Sequence, residues 1–545
     1  MSIIRRLIPW VVFVSAAALT ASPPPRFDGQ AQQPIPVTGL TTGINNRTGE
    51  WPARWEINAL EHEGGPRWDL YIQGLAALQN KTEADELSHF SLAGIHGMPY
   101  APYNGVGPVP GGSGRGFCPH GEGQFVAWHR AYLALYEQIL GSEIRRIAAQ
   151  YNTSYRNFTY REAARTFRLP YWDWASNAQL PPACATLNVT VTGPFGPLTM
   201  RNPLYSYKWP TYPLNETQFP GSAGFPDETT RASDGKSDFS LDVVNANLAA
   251  VAGQLRDQVY RTFAFAETYD QMSSTADPAG LSLEAAHNIV HDAVGGTFAF
   301  IAVTAFDSLF MLHHANVDRL AALWQAAHPD NTYQSQTYIT GGLYGIARGD
   351  NVTAKSPVKP FYRADGKSFH TGISTSSIDA FGYTYPELKG WGLSQYQGSG
   401  VISRINSLYG SNGDNNNTLA GDEWFVEIAV NRSELELPCN INVRVGEVFA
   451  GRMALLGMPT HGLAHSKISL RRALGLNRIG RDAMQRTLLE QLRVEITKGN
   501  GAMIDAKDVA GLIVNLASID IMSRGNDSEF TKYGNKRVVP LGRVG

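Results

Sequence analysis

Two histidines four residues apart, His287 and His291 in the segment HNIVH, are the first residues whose spacing could do chemistry. On a helix, positions four apart share a face, so both imidazoles can reach one ion. Downstream, Phe310, His314, Val317, Ala321 and Trp324 recur at steps of four and three, which turns His314 inward. His313 is only about 100° around the same helix, so periodicity leaves the choice between His313 and His314 open. Upstream, His129 lies in line with Tyr132, Leu133 and Tyr136, and His96 and His120 sit in Gly/Pro-rich loops flanking that helix. A lone His on an apolar stripe reads as a core residue. Two groups of three, with no Cys or carboxylate between them, instead suit a borderline transition metal, since imidazole serves Zn, Cu, Fe and Ni. HNIVH lacks the Glu directly after the first His that a zinc metalloprotease uses as general base. Three neutral imidazoles per metal leave an open face for dioxygen.

The elements that must hold these residues are helical. Apolar residues recur with helical period over 67–82, 123–151, 240–264, 280–294 and 305–328. Between them, 97–117, 175–240 and 329–405 are rich in Gly, Pro and polar residues and read as loops. The stretch 407–422, SLYGSNGDNNNTLAGD, reads as a linker. Beyond it, 424–430, 440–448 and 493–497 alternate apolar and polar residues, the period of half-buried strands. The expectation is a mainly α domain over 23–406 and a smaller β-rich domain over 423–545. In the latter, His461 and His465 are also four apart, but Gly462 lies between them and no third ligand is evident.

Composition limits the function. The 545 residues leave room for two or three domains. Apolar residues at 43% and charged residues at 17% exclude a mostly disordered chain. Lys and Arg number 46 against 48 acidic residues, with no block of one sign, which excludes an electrostatic nucleic-acid binder. Three Cys exclude a disulfide scaffold. Residues 1–22 have Arg5 and Arg6, an apolar run and small residues at its end, and read as a secretory signal. The run is shorter than the ~20 residues of a membrane span, and no later segment is long enough, so no transmembrane helix is expected. Asn-x-Ser/Thr sequons stand at Asn46, Asn80, Asn152, Asn157, Asn188, Asn215, Asn351, Asn416, Asn431 and Asn526. With the signal, they point to a secreted glycoprotein.

The segments IHGMPY (95–100), CPHGEGQFVAWHRAYLALYEQIL (118–140), YWDWA (171–175), SLEAAHNIVHDAVGG (282–296) and FDSLFMLHHANVDRLAALW (306–324) resemble the tyrosinase and polyphenol oxidase family of type-3 (binuclear) copper proteins, above all its fungal members. The resemblance covers roughly 40–400. It implies a four-helix-bundle core around a dicopper site and, for the tail, a β-sandwich that shields this site. It implies two copper ions per chain, one held by His96, His120 and His129, the other by His287, His291 and His314. The family's ligand four residues before the helix Asp, here Asp318, selects His314. Asp307-Ser308 stands where the family has Asp-Pro, a change expected to loosen the turn.

The resemblance also assigns roles. Cys118, two residues before His120, matches a Cys joined to that His by a thioether. Cys184 and Cys439 then remain, paired or free. Glu284 and Asn288 match residues that hold a water able to deprotonate a phenol. Asp318 is a candidate to orient His314, Arg319 an equal candidate for a buried structural pair, and Ile301 falls near the family's gate position. Tyr383-Thr384-Tyr385 matches the motif closing the catalytic domain. The implied activity is oxidation of o-diphenols to o-quinones with O2, together with ortho-hydroxylation of monophenols. A catechol oxidase, a zinc hydrolase and an oxygen carrier are the alternatives. Partners are small phenols and O2, and the oligomeric state is left open.

Overall fold

The computed structural model describes residues 33–151, 154–233, 239–389, 399–410, 421–475, 480–522 and 524–541. The expected signal over 1–22 lies outside them. From Pro34 on, the chain forms one compact unit. Its helical part is organised by α1 (Gly65–Gln79), α2 (Phe125–Ala148), α3 (Leu241–Phe265), α4 (Leu283–Val294), α5 (Leu309–Ala327) and α6 (Ser399–Tyr409). None of the described helices is long and apolar enough to cross a membrane.

Local sequence sets where the histidine helices begin and end. Ser282 caps α4, its hydroxyl accepting the Ala285 N–H at 3.2 Å. Gly295 ends α4 at φ 72°, a conformation glycine adopts without steric cost, and its N–H bonds the His291 carbonyl at 3.1 Å. Asp307 starts α5 by accepting the Leu309 N–H at 2.9 Å, while Arg231 grips the same carboxylate at 2.9 and 3.0 Å. The Ser308 hydroxyl accepts from Gln79 Nε2 at 2.8 Å and joins α5 to the end of α1. Where the family has proline, serine thus supplies a tie that proline lacks.

α2 is buried nearly all round and carries two charges into the core, Arg130 and Glu137. Both are paired. Arg54 Nε donates to Glu137 at 2.9 Å, and Arg130 Nε donates to Asp318 of α5 at 2.6 Å. Asp318 also accepts from Arg54 at 3.1 Å and from the hydroxyls of Tyr383 and Tyr385, each at 2.6 Å. One carboxylate thus fastens α2, α5, the N-terminal segment and the Tyr383–Tyr385 segment.

The C-terminal region contains β1 (Gly421–Asn431), β2 (Cys439–Val445), β3 (Val448–Leu455), β4 (Leu463–Ser469), β5 (Leu492–Lys498), β6 (Met503–Ile504), β7 (Ile513–Met522) and β8 (Lys532–Pro540). They form two antiparallel four-stranded sheets, ordered β4-β1-β7-β8 and β6-β5-β2-β3. Alternation sets their inner faces: β2 buries Cys439, Ile441, Val443 and Val445. Val426, Ile428, Ile441, Val443, Ile496 and Leu516, from both sheets, share one apolar core.

Three elements depart from the sequence reading. A hairpin, Asn188–Gly193 with Gly196–Arg201, lies inside a stretch read as irregular. A helix over Ser154–Arg165 lacks a strong apolar stripe. α6 runs to Tyr409, into the start of the expected linker, because Val401, Ile405 and Tyr409 make a buried stripe that the surrounding Gly, Ser and Asn conceal. Residues 411–420 of that linker lie outside the described residues.

Candidate metal centre

The six expected ligands come together in the helical core, and all are buried. His129 projects from α2, His287 and His291 from one face of α4, and His314 from α5. His96 follows the short helix His89–Gly94, and His120 lies on the loop leading into α2. In the second group, His287 Nε2 lies 3.1 Å from His314 Nε2 and 3.0 Å from His291 Nε2. In the first, His120 Nε2 lies 3.4 Å from His96 Nε2. A tetrahedral ion with bonds of about 2.0 Å spaces its donors about 3.3 Å apart, so these nitrogens already stand at ligand spacing. The groups abut: the rings of His129 and His314 stack with centroids 4.3 Å apart.

Each metal-facing nitrogen needs its ring turned and its proton placed on the other nitrogen. The Nδ1–H of His129 donates to Phe125 O at 2.8 Å and that of His291 to Phe298 O at 2.9 Å. His287 Nδ1–H donates to Asn288 Oδ1 at 2.9 Å. Burial, with neighbouring imidazoles adding to it, pushes His96, His129, His287 and His314 well below the ordinary imidazole range. Burial brings His291 down to about 3. Neutral imidazole is the form that binds metal. Six imidazole donors, with no carboxylate among them, fit two copper ions.

His313 also enters the second group, which gathers His287, His291, His313 and His314. Its ring stacks on His287 at 4.9 Å, and among the described residues neither of its nitrogens has a hydrogen-bond partner.

Asp318 does not orient His314. Its oxygens are taken by two arginines and two tyrosines, and His314 Nδ1 has no hydrogen-bond partner among the described residues. Arg319 is in a structural cluster, bonding Glu387 at 2.5 Å, Asp173 at 3.2 Å and the Tyr409 hydroxyl at 2.8 Å. Cys118 Sγ lies 3.2 Å from His129 Nε2 and within 4.8 Å of a His120 nitrogen. Cys184 and Cys439 are free and buried. Ile301 is buried beside Ala302, whose carbonyl accepts the Met98 N–H at 2.8 Å next to the His96 loop. Among the described residues, His461 and His465 gather no third donor. Asn46, Asn80, Asn188, Asn215, Asn351 and Asn526 are exposed and Asn431 is half-buried, while the side chains of Asn152, Asn157 and Asn416 lie outside the described residues.

Glu284 is buried and fully engaged. Oε1 accepts the Gly121 N–H at 2.6 Å, beside His120, whose Nδ1 lies 3.5 Å away. Oε2 accepts from the Ser274 hydroxyl at 3.1 Å and from Thr275 N–H and hydroxyl at 2.8 and 3.0 Å. Burial pushes this carboxyl up, but His120, Arg432 and the donors outweigh it and hold it below the usual range. Three residues that surround the site carry no sequence signal of their own. Glu122 holds the His120 loop through Thr340 and Gly341 at 2.6 and 3.0 Å. Asp292, next to His291, is clamped by Arg452 at 2.7 Å and Asn440 at 2.8 Å. Arg432, also from the C-terminal region, reaches Thr275.

These features can be set beside known proteins. The family model described as the common central domain of tyrosinase matches residues 86–327, which hold all six histidines. The chain is 32% identical over 410 residues to a tyrosinase of Neurospora crassa, covering 69% of this chain and 58% of that one. It is 33% identical over 411 residues to a tyrosinase of Podospora anserina, covering 69% of each. A solved mushroom tyrosinase, seen in latent and active forms, has the same fold, with TM-score 0.81 at 24% identity, covering 94% of this chain and 99% of that one. The match spans less than two thirds of the Neurospora protein. By its relatives and its two buried histidine groups, the chain belongs to the tyrosinase family of type-3 copper oxidoreductases.

Proposed function

We propose that this protein is a secreted phenol oxidase that converts o-diphenols to o-quinones. The observation that carries the reading is the pair of abutting imidazole triads, His129 against His314 at 4.3 Å. Copper, when bound, supplies the redox chemistry with O2. Two catechols and one O2 give two o-quinones and two waters; one monophenol and one O2 give one o-quinone and one water. The protein holds His96, His129, His287, His291 and His314 neutral, excludes water from a buried site and binds the phenol.

Hydroxylation needs a phenolate, and a phenol with a pKa near 10 must lose its proton within the pocket. In this reading Glu284 and Asn288 hold the water that takes it, and Ile301 borders the phenol's entry. Asn288 also orients His287. The full engagement of Glu284 favours a second reading, a catechol oxidase with little monophenol activity. We further read Cys118–His120 as a thioether, the sequons as glycosylated, the helical core as a four-helix bundle and the paired sheets as a β-sandwich lid over 423–545. The lid is supported by Pro459: a methyl group added at Gly121, beside His120, would lie 3.2 Å from its Cγ. Oxygen uptake on a monophenol and on its catechol tests the reading. Uptake on the catechol is expected; a copper-loaded protein inert toward both overturns it.

A further inference from the structure

The C-terminal region grips the segment 275–280 at three points. His465 N–H donates to Thr275 O at 2.8 Å, Lys467 N–H donates to Gly280 O at 3.0 Å, and Arg432 Nη2 donates to Thr275 Oγ1 at 2.8 Å. Arg432 is 3% exposed and fixed on its own side, its Nη1 donating to Leu463 O at 3.1 Å. A threonine hydroxyl has one proton. With Arg432 donating to its oxygen, that proton is directed to Glu284. Glu284 then receives four donors: Gly121 N–H, the Ser274 hydroxyl, and the Thr275 N–H and hydroxyl. An ionised carboxylate offers about four lone-pair sites, so this set fills it. Three of the four donors come from residues 274–275, which the C-terminal region pins in place. A carboxylate filled in this way has no site left for a water.

We propose that Arg432 is a specificity-determining positioning residue. It locks Thr275 onto Glu284, so the covered chain is poor at hydroxylating monophenols while its catechol chemistry, which needs no such water, is spared. Release of the C-terminal region then changes which phenols react, beyond changing access to the metals. This deepens the phenol oxidase reading and rests on it.

The test uses the full, copper-loaded chain and its Arg432→Gln and Arg432→Lys variants. The readouts are kcat on a monophenol and its catechol, and amide exchange of 274–276 followed by mass spectrometry. Arg432→Gln is expected to raise the monophenol-to-catechol kcat ratio about fivefold, the order of one hydrogen bond, and to speed exchange at Thr275. Arg432→Lys, which still donates to the Thr275 hydroxyl, stays near the parent. Thr275→Val removes the hydroxyl directly, leaves one Glu284 site open and raises the ratio even where Arg432→Gln fails to fold. An unchanged or lowered ratio in the folded variants overturns the proposal. An equal rise on both substrates overturns it too, since that is what uncovering alone would give. A copper-loaded parent inert toward catechol sinks the phenol oxidase reading instead. The amide exchange then still decides the clamp: faster exchange in Arg432→Gln supports it, and unchanged exchange refutes it.

Discussion

At the scale of single residues, the site depends on imidazoles kept neutral and correctly turned. His291→Ala removes one of three donors from the second group. Metal analysis should show copper falling from two ions per chain toward one. The remaining ion, no longer coupled to a neighbour, should give an EPR signal that the oxidised parent lacks. Cys118 tests the thioether: peptide mass mapping should find residues 118 and 120 joined and two hydrogens lighter than their sum, and a freely alkylated Cys118 in copper-loaded protein would refute the bond. His89 shows how burial sets acid stability outside the metal groups. Its ring meets the Tyr136 hydroxyl at 3.0 Å and Phe306 O at 2.8 Å, partners that suit one neutral tautomer. Burial lowers its pKa to about 4. The unfolded chain holds it near 6.5, so between these values the unfolded state binds more protons and stability rises with pH. The contribution is complete above about pH 6.5 and lost as pH falls through 4, roughly 3 kcal/mol in all. Urea midpoints of the metal-free protein should fall across that window, and less steeply in His89→Gln.

At the scale of elements, the helices that carry ligands are fixed by buried ions as much as by apolar packing. Asp318 gathers Arg54, Arg130, Tyr383 and Tyr385 at the junction of α2 and α5. Asp318→Asn would leave the Arg130 guanidinium without its carboxylate partner in the core, while Arg54 keeps Glu137. Breaking a buried pair in this way costs about 3–5 kcal/mol. Thermal unfolding should report a loss of that order, with copper binding kept in the fraction that folds. An unchanged melting temperature would show that Glu137 and the tyrosines suffice to hold the arginines.

At the scale of the whole molecule, the C-terminal region meets the helical part through polar contacts, one of them at Asp292 beside His291. Arg452 bonds Asp292, Arg115 Nη2 donates to Thr460 Oγ1 at 2.9 Å, and Arg261 pairs with Glu423. A protease is expected to cut within or just after the Gly/Asn-rich stretch 407–422, since such sequences are preferred sites of nicking. These contacts should hold the nicked pieces together until they are separated. A shortened chain should end after Gly410, because Tyr409 completes α6 and bonds Asp173 and Arg319. Such a chain should turn over phenols faster than the full chain with equal copper. Equal turnover, or copper loss on truncation, would count against a lid.

The sequence by itself determined part of the ligand chemistry, because helical period and histidine spacing are local, while the full set of six and the choice of His314 came from the family resemblance. HNIVH needs only one helix to aim two imidazoles at one ion, and the alternation read over 440–448 needs only a strand, although a turn at Gly446–Glu447 ends that strand at Val445. The helices at 67–82 and 305–328 were legible for the same reason. Tertiary structure decided what depends on contacts distant in the chain. Asp318 sits one turn beyond His314, yet its carboxylate belongs to Arg54, Arg130 and two tyrosines that no spacing could assign to it. Ser308 departs from the family pattern, and only Gln79, distant in the chain, shows that it fastens a turn. Arg432 lies 157 residues from Thr275, and one hydrogen bond between them places the C-terminal region in the environment of Glu284. A side chain's partner is set by where whole elements dock, and that information is spread along the chain.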